Sequence, residues 1–136
     1  MANYWLIKSE ADCYSIDDLK KDKSTSWAGV RNYQARNFIR SMAKGDLVLY
    51  YHSGGTAPHV AGIAKVVKAP YAEKDPLWSA ADVGFVEKFK TPLTLAQIKH
   101  DPKLSGMMVT QQGSRLSVQP VSKAHFEIIR KLGTIS

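Results

Sequence analysis

Tyr4-Trp5-Leu6-Ile7-Lys8-Ser9-Glu10 opens with four apolar positions in a row, two aromatic and two aliphatic. A run with no polar position has no face to offer water, so it suits a strand buried on both faces. Working outward, a second run of the same kind, Leu47-Val48-Leu49-Tyr50-Tyr51, follows the turn pair Gly45-Asp46. Residues 60–67 and 78–89 read as further strands, with Gly62 permitting a bulge or close backbone approach inside the first of them. Residues 52–58 and 69–76 read as loops.

Between the strands lie helix signals. Ser15-Ile16-Asp17-Asp18 resembles a capping box and opens a short helix through Leu19 that stops in the polar stretch 20–26. Asn32 is an N-cap for residues 33 to about 42, with Phe38, Ile39 and Met42 on one face, Arg36 and Arg40 on another, and Lys44-Gly45 at the end. Thr94 caps a short helix through Lys99 that Asp101-Pro102 breaks. Ser122 caps a last helix, in which Phe126, Ile128, Ile129 and Leu132 form a buried stripe and Gly133 is expected as the C-cap. No repeat or linker interrupts the chain. These elements predict one α+β domain over residues 1–136, its strands curled into a small sheet or barrel with short helices at its edge.

Composition narrows the function. With 44% apolar residues in 136, the chain can bury a core and is not disordered, while no apolar run approaches the roughly 18 residues of a membrane span. Lys8 and Glu10 stand where a signal peptide would be apolar, so a soluble protein of a bacterial cytoplasm is expected; the oligomeric state is left open, with a monomer favoured. Cys13 alone forms no internal disulfide and reads as a bystander, and His52, His59, His100 and His125 have no zinc-site spacing, so no metal is expected. There is no Walker loop, dinucleotide-binding glycine triplet or nucleophile elbow, and no cofactor or enzymatic activity is expected.

The net charge is +7, from 19 Lys and Arg against 12 Asp and Glu, and its position is informative. Residues 23–45 hold Lys23, Arg31, Arg36, Arg40 and Lys44 with no acid, and residues 103–126 hold Lys103, Arg115 and Lys123, again with none. The eleven basic residues elsewhere face all twelve acids, so these two segments carry the whole excess. Such stripes attract polyanions. Trp27, Arg31, Asn32, Tyr33, His52 and Ser53 cluster at element ends, where aromatic faces and amide or hydroxyl groups suit a nucleobase. Trp5, mid-strand, reads as core.

Four of these stretches, Tyr4 to Glu10, Trp27-Ala28-Gly29-Val30-Arg31-Asn32-Tyr33-Gln34-Ala35-Arg36-Asn37, Gly45 to Ser53, and Ser114-Arg115-Leu116-Ser117-Val118-Gln119-Pro120-Val121, together resemble the EVE domain family. The resemblance implies a PUA-like fold, a curled β-barrel or sheet related to the YTH domain, and a pocket that holds a modified base of DNA or of RNA against an aromatic wall. Carried over to these positions, it implies Trp27 as the stacking wall, with Lys8 and Ser9 at the pocket edge. Arg31, Asn32, Tyr33 and Asn37 would supply polar contacts, His52 and Ser53 would line the pocket, Arg115 would lie near its mouth and Trp78 would be a second wall. Arg36, Arg40 and Lys44 would contact phosphates. The chain departs from the family pattern at Ala11, where a Pro is usual, and in a short connection between residues 67 and 78. A pocket for a free nucleoside or anionic metabolite, and an RNA-binding module without modification specificity, are the alternatives.

Overall fold

In the computed structural model, which describes residues 3–9, 14–28, 32–53, 58–104, 106–107 and 117–134, the opening run forms β1 (Tyr4–Ser9) and lies between two neighbours. It runs parallel to β3 (Leu47–His52) and antiparallel to β6 (Val118–Val121). With β2 (Ser24–Trp27), β4 (His59–Ala72) and β5 (Ser79–Thr94) these make one mixed sheet in the order β2-β5-β4-β3-β1-β6. Its ends, β2 and β6, do not pair with each other, so the α+β expectation holds as an open sheet and not as a closed barrel.

Helices cover both faces, which is why Trp5, Leu6 and Ile7 are all buried. Trp5, Ile7, Val48, Tyr50, Val66 and Val83 pack under α1 (Ile16–Asp22) and α2 (Tyr33–Ser41). On the other face Leu6, Leu49, Tyr51, Ile63 and Phe89 pack against α3 (Leu95–His100), a 3-10 turn (Pro102–Leu104) and α4 (Lys123–Thr134). The pairing of β4 with β5 shifts register in four places, and bulges of this kind bend a long hairpin. Gly62 sits at one of them. A Cβ there would collide with the Glu87 carbonyl and lie 3.1 Å from the Ile16 side chain, so the close backbone approach is real.

The caps form as read. Ser15 and Asp18 exchange hydrogen bonds in a capping box, and those bonds hold the Asp18 carboxyl below its ordinary range. Asn32 Oδ1 accepts from Ala35 N at 3.0 Å, and Thr94 and Gln97 form a second box. Four boundaries differ from expectation. The polar stretch 20–26 contains the end of α1 and all of β2 but its last residue, because Lys23, at φ 72°, turns the chain directly from helix to strand. Strands β4 and β5 run further than their apolar cores, since a paired hairpin satisfies backbone groups whatever its side chains. Gly133 is no C-cap: α4 continues through it to Thr134, and Phe89 lies where a Cβ would be.

Asp46 joins these parts. Its buried carboxylate accepts from Asn3 N at 3.0 Å through Oδ1, and from Trp5 Nε1 at 3.0 Å and Ala43 N at 2.9 Å through Oδ2. Both oxygens therefore face N–H donors. An Asp46→Asn variant must turn its amide NH2 toward one of them, and loss of a charge-assisted bond with a donor left buried costs about 2 kcal/mol. Urea unfolding of this variant should show a lower midpoint at unchanged slope.

Candidate functional site

At the Ser9 end of the β1–β3 pair, the parallel register sets Ser9 beside His52. The Tyr14 carbonyl accepts there from Ser9 Oγ at 3.0 Å and from Tyr50 OH at 2.9 Å. Tyr50 is fully buried, and burial pushes its phenol up to about 12, so it stays a neutral donor. Above it stands Trp27, the last residue of β2, meeting the Tyr50 ring edge-on at 6.0 Å and 78°. Thr25 and Trp27 share this face by the two-residue period of the strand, opposite Val83 and Ala81 on β5. Tyr14, Thr25, Ser26, Trp27 and Ala28 line a cavity of about 220 Å³.

Two buried donors in this region lack partners among the described residues: Trp27 Nε1 and His52 Nδ1. His52 Nε2 accepts from Ile16 N, the first N–H of α1, at 3.3 Å, which places the proton of the neutral ring on Nδ1. Burial holds His52 below its ordinary 6.5, outweighing the nearby Ser9 carbonyl, which accepts from Ser53 N. Like Trp27, the His52 ring packs edge-on to Tyr50, at 5.5 Å. An aromatic face with N–H donors around it complements a flat heterocycle that carries a carbonyl or ring nitrogen.

A second group surrounds the turn between β4 and β5. Tyr33 stacks on Trp78 at 5.3 Å and 19°, and the Arg36 guanidinium lies 5.0 Å from the Tyr33 ring. Arg36 donates through Nη1 to Leu77 O and through Nε and Nη2 to Asn37 Oδ1. Arg40 donates through Nε to Ser79 Oγ and through Nη2 to Pro76 O and Leu77 O. These acceptors are all uncharged, so the guanidinium groups clasp the turn to α2 and keep their positive charge. Tyr33 remains 60% exposed.

The structure thus brings Ser9, Trp27 and His52 together around Tyr50, and gathers Tyr33, Arg36, Asn37, Arg40 and Trp78 in a separate cluster. Asn32 commits its Oδ1 to capping α2. Lys8 projects from the opposite face to Ser9: its Nζ lies 6.0 Å from the Tyr51 ring, and burial lowers its pKa. Ser53 and Lys44 are exposed, and Arg31 and Arg115 lie outside the described residues. Sequence reasoning missed Tyr14, Thr25 and Tyr50 as site residues. The alternation Ser24-Thr25-Ser26-Trp27 was the available signal for β2, hidden by its polar composition. Two larger cavities, of about 620 and 600 Å³, lie around Tyr4 beside α4 and β6, away from both buried donors. Among the described residues no group of His, Cys, Asp and Glu could hold a metal ion, and no helix is long and apolar enough to cross a membrane.

A family model described as EVE domain matches residues 3–132. Human thymocyte nuclear protein 1 is 34% identical over 169 residues, which cover 97% of this chain and 74% of that protein. The crystal structure of a Pseudomonas syringae protein matches with a TM-score of 0.89 and 43% identity, covering 95% of this chain and 98% of that one. Human THYN1 protein, in complex with 5-methylcytosine containing DNA, matches with a TM-score of 0.88 and 33% identity over 99% of each chain. The YTH domain of Zygosaccharomyces rouxii MRB1 protein, at 14% identity and a TM-score of 0.60 over 98% of this chain and 88% of that one, shares the fold alone, and the architecture is PUA-like.

The His52 geometry has a consequence for stability. With its pKa depressed in the folded state, the unfolded chain binds more protons below pH 6.5, so the stability His52 contributes is complete above that value and is lost as pH falls beneath it. Protonating Nε2 also sets a proton against the Ile16 N–H. Denaturant midpoints should drop between pH 7.5 and 5.5, and imidazole NMR titration should place His52 below 6.5.

Proposed function

This chain belongs to the EVE domain family, and from that premise we propose that it is a non-enzymatic module that holds one modified base of a nucleic acid, DNA foremost, in the cavity beside Trp27. The observation that carries the proposal is the half-buried indole at the cavity rim whose Nε1 donor is buried without a partner among the described residues. The 5-methylcytosine DNA in the complex of the human relative favours DNA and a methylated pyrimidine.

Trp27 stacks on the base through its ring face, while its Nε1–H, which lies in the plane of that ring, serves a sugar or phosphate oxygen beside the base, and His52 Nδ1–H meets a base acceptor. Ser9, whose Oγ donates to the Tyr14 carbonyl, lies at the pocket edge. The Asn32 amide NH2, Ser53 and Asn37 contribute polar contacts, and the Tyr33–Trp78 stack flanks the bound strand. Lys44 contacts phosphate directly, together with Arg31 and Arg115, while Arg36, Arg40 and, from the other face, Lys8 supply positive charge. Unstacking a base costs a few kcal/mol and stacking on an aromatic returns about 1–3 kcal/mol, so phosphate contacts supply much of the affinity.

Matched oligonucleotides, unmodified or carrying 5-methylcytosine, hydroxymethylcytosine or methylated adenine, should be titrated at two salt concentrations beside the free nucleosides. A methylated oligonucleotide is expected to bind best, and its affinity to fall steeply with salt. Trp27→Ala should weaken binding by about five- to 150-fold, the equivalent of 1–3 kcal/mol. Equal affinity for every oligonucleotide would overturn modification reading, and a free nucleoside binding as tightly, without salt dependence, would make the cavity a small-molecule site.

A further inference from the structure

Tyr14 borders the same cavity as Trp27 and has no part in the assignments above. Its ring is half-buried, yet it is tethered at both ends. At the far end the hydroxyl donates to Asp22 Oδ2 at 2.7 Å, with a longer contact of 3.5 Å to the Asp18 carbonyl. At the near end the main-chain carbonyl takes two hydrogen bonds, from Ser9 on β1 and Tyr50 on β3. The side chain therefore lies along α1, from just before its N-cap to its last residue, and cannot swing away without breaking a charge-assisted bond.

We infer that Tyr14 is the second aromatic wall of the cavity, covering the face of the base turned away from Trp27, with Asp22 as the positioning residue that holds its ring; this rests on the base-holding function proposed above. Three features favour Tyr14 over Trp78 in this role. The cavity of about 220 Å³ falls below the roughly 300–1,000 Å³ of sites for drug-sized ligands, so it suits one small ring system between two flat walls. Trp78 is already stacked on Tyr33. A wall fixed before binding also loses little side-chain freedom when a base enters, which raises affinity without any added contact. Burial and the Asp22 carboxylate both raise the Tyr14 pKa, so the phenol remains a donor to Asp22 through the neutral range.

The test uses an oligonucleotide containing 5-methylcytosine as the probe. Tyr14→Leu keeps the main-chain carbonyl that accepts from Ser9 and Tyr50 but removes the ring, and should weaken binding about five- to 150-fold, as expected for one stacking partner. Tyr14→Phe and Asp22→Ala each keep the ring but break the same bond that holds it, so the two should weaken binding to a similar extent, by about threefold and well short of the loss in Tyr14→Leu. In the wild-type complex, NMR should show nuclear Overhauser contacts from the methyl and H6 protons of the base to both the Trp27 and the Tyr14 rings, a readout that needs no variant to fold. Wild-type affinity in Tyr14→Leu alongside a loss in Trp27→Ala, or contacts to Trp27 alone, would overturn the second wall and leave the base-holding function standing. If Trp27→Ala also binds as wild type, the base-holding function fails first.

Discussion

The hydrogen bond from Trp5 Nε1 to the Asp46 carboxylate fixes the offset of β1 against β3, and the rest of the molecule is arranged on that offset. Parallel strands have no hairpin between them to set their register. A slip of one residue would send Trp5, Ile7 and Ser9 to the face where α3 and α4 pack. Asp46 resists the slip by collecting donors from both sides of the crossover: Asn3 and Trp5 at the start of β1, and Ala43 just beyond α2. A buried carboxylate is tolerable because three donors replace its lost water.

That register is felt at the other end of the strand pair. Ser9 and Tyr50 reach one carbonyl, that of Tyr14, only because β1 and β3 keep step over their full length. The Tyr14 carbonyl in turn places α1, whose first N–H meets His52 and whose last residue ties the Tyr14 hydroxyl. Trp27 arrives from the far edge of the sheet by way of β5 and settles on Tyr50. The cavity is lined by residues between 14 and 28, and β1 and β3 brace it through the bonds of Ser9 and Tyr50 to the Tyr14 carbonyl. On the same face Arg36 and Arg40 bind carbonyls of the β4–β5 turn, which orders that turn while leaving their charge available.

Features written in neighbouring residues were legible in advance. Ser15, Asn32 and Thr94 cap their helices because a short polar side chain reaches only the next turn, and Gly62 marks a backbone contact that excludes a Cβ. Legibility failed where the deciding contact is remote. Gly133 has the spacing of a C-cap, but the ring of Phe89, from β5, determines its use. Ser24 to Trp27 are too polar to show as a strand and become one by pairing with Gly84 to Ala81. Trp78, a second wall by family resemblance, stacks on Tyr33 in the structure.

By itself the sequence determined the family, the α+β class and two basic stretches, because composition, caps and motif order are local properties that survive without coordinates. Only the tertiary structure decided that Ser9 and Tyr50 share one carbonyl, that Arg36 and Arg40 bind a turn, and that Tyr14 shares the cavity with Trp27. The hydrogen bonds that Arg36, Arg40 and Tyr50 make here join residues 36 to 41 positions apart. Periodicity shows which side of an element a residue is on, but partners at such separations are chosen by sheet register and close packing.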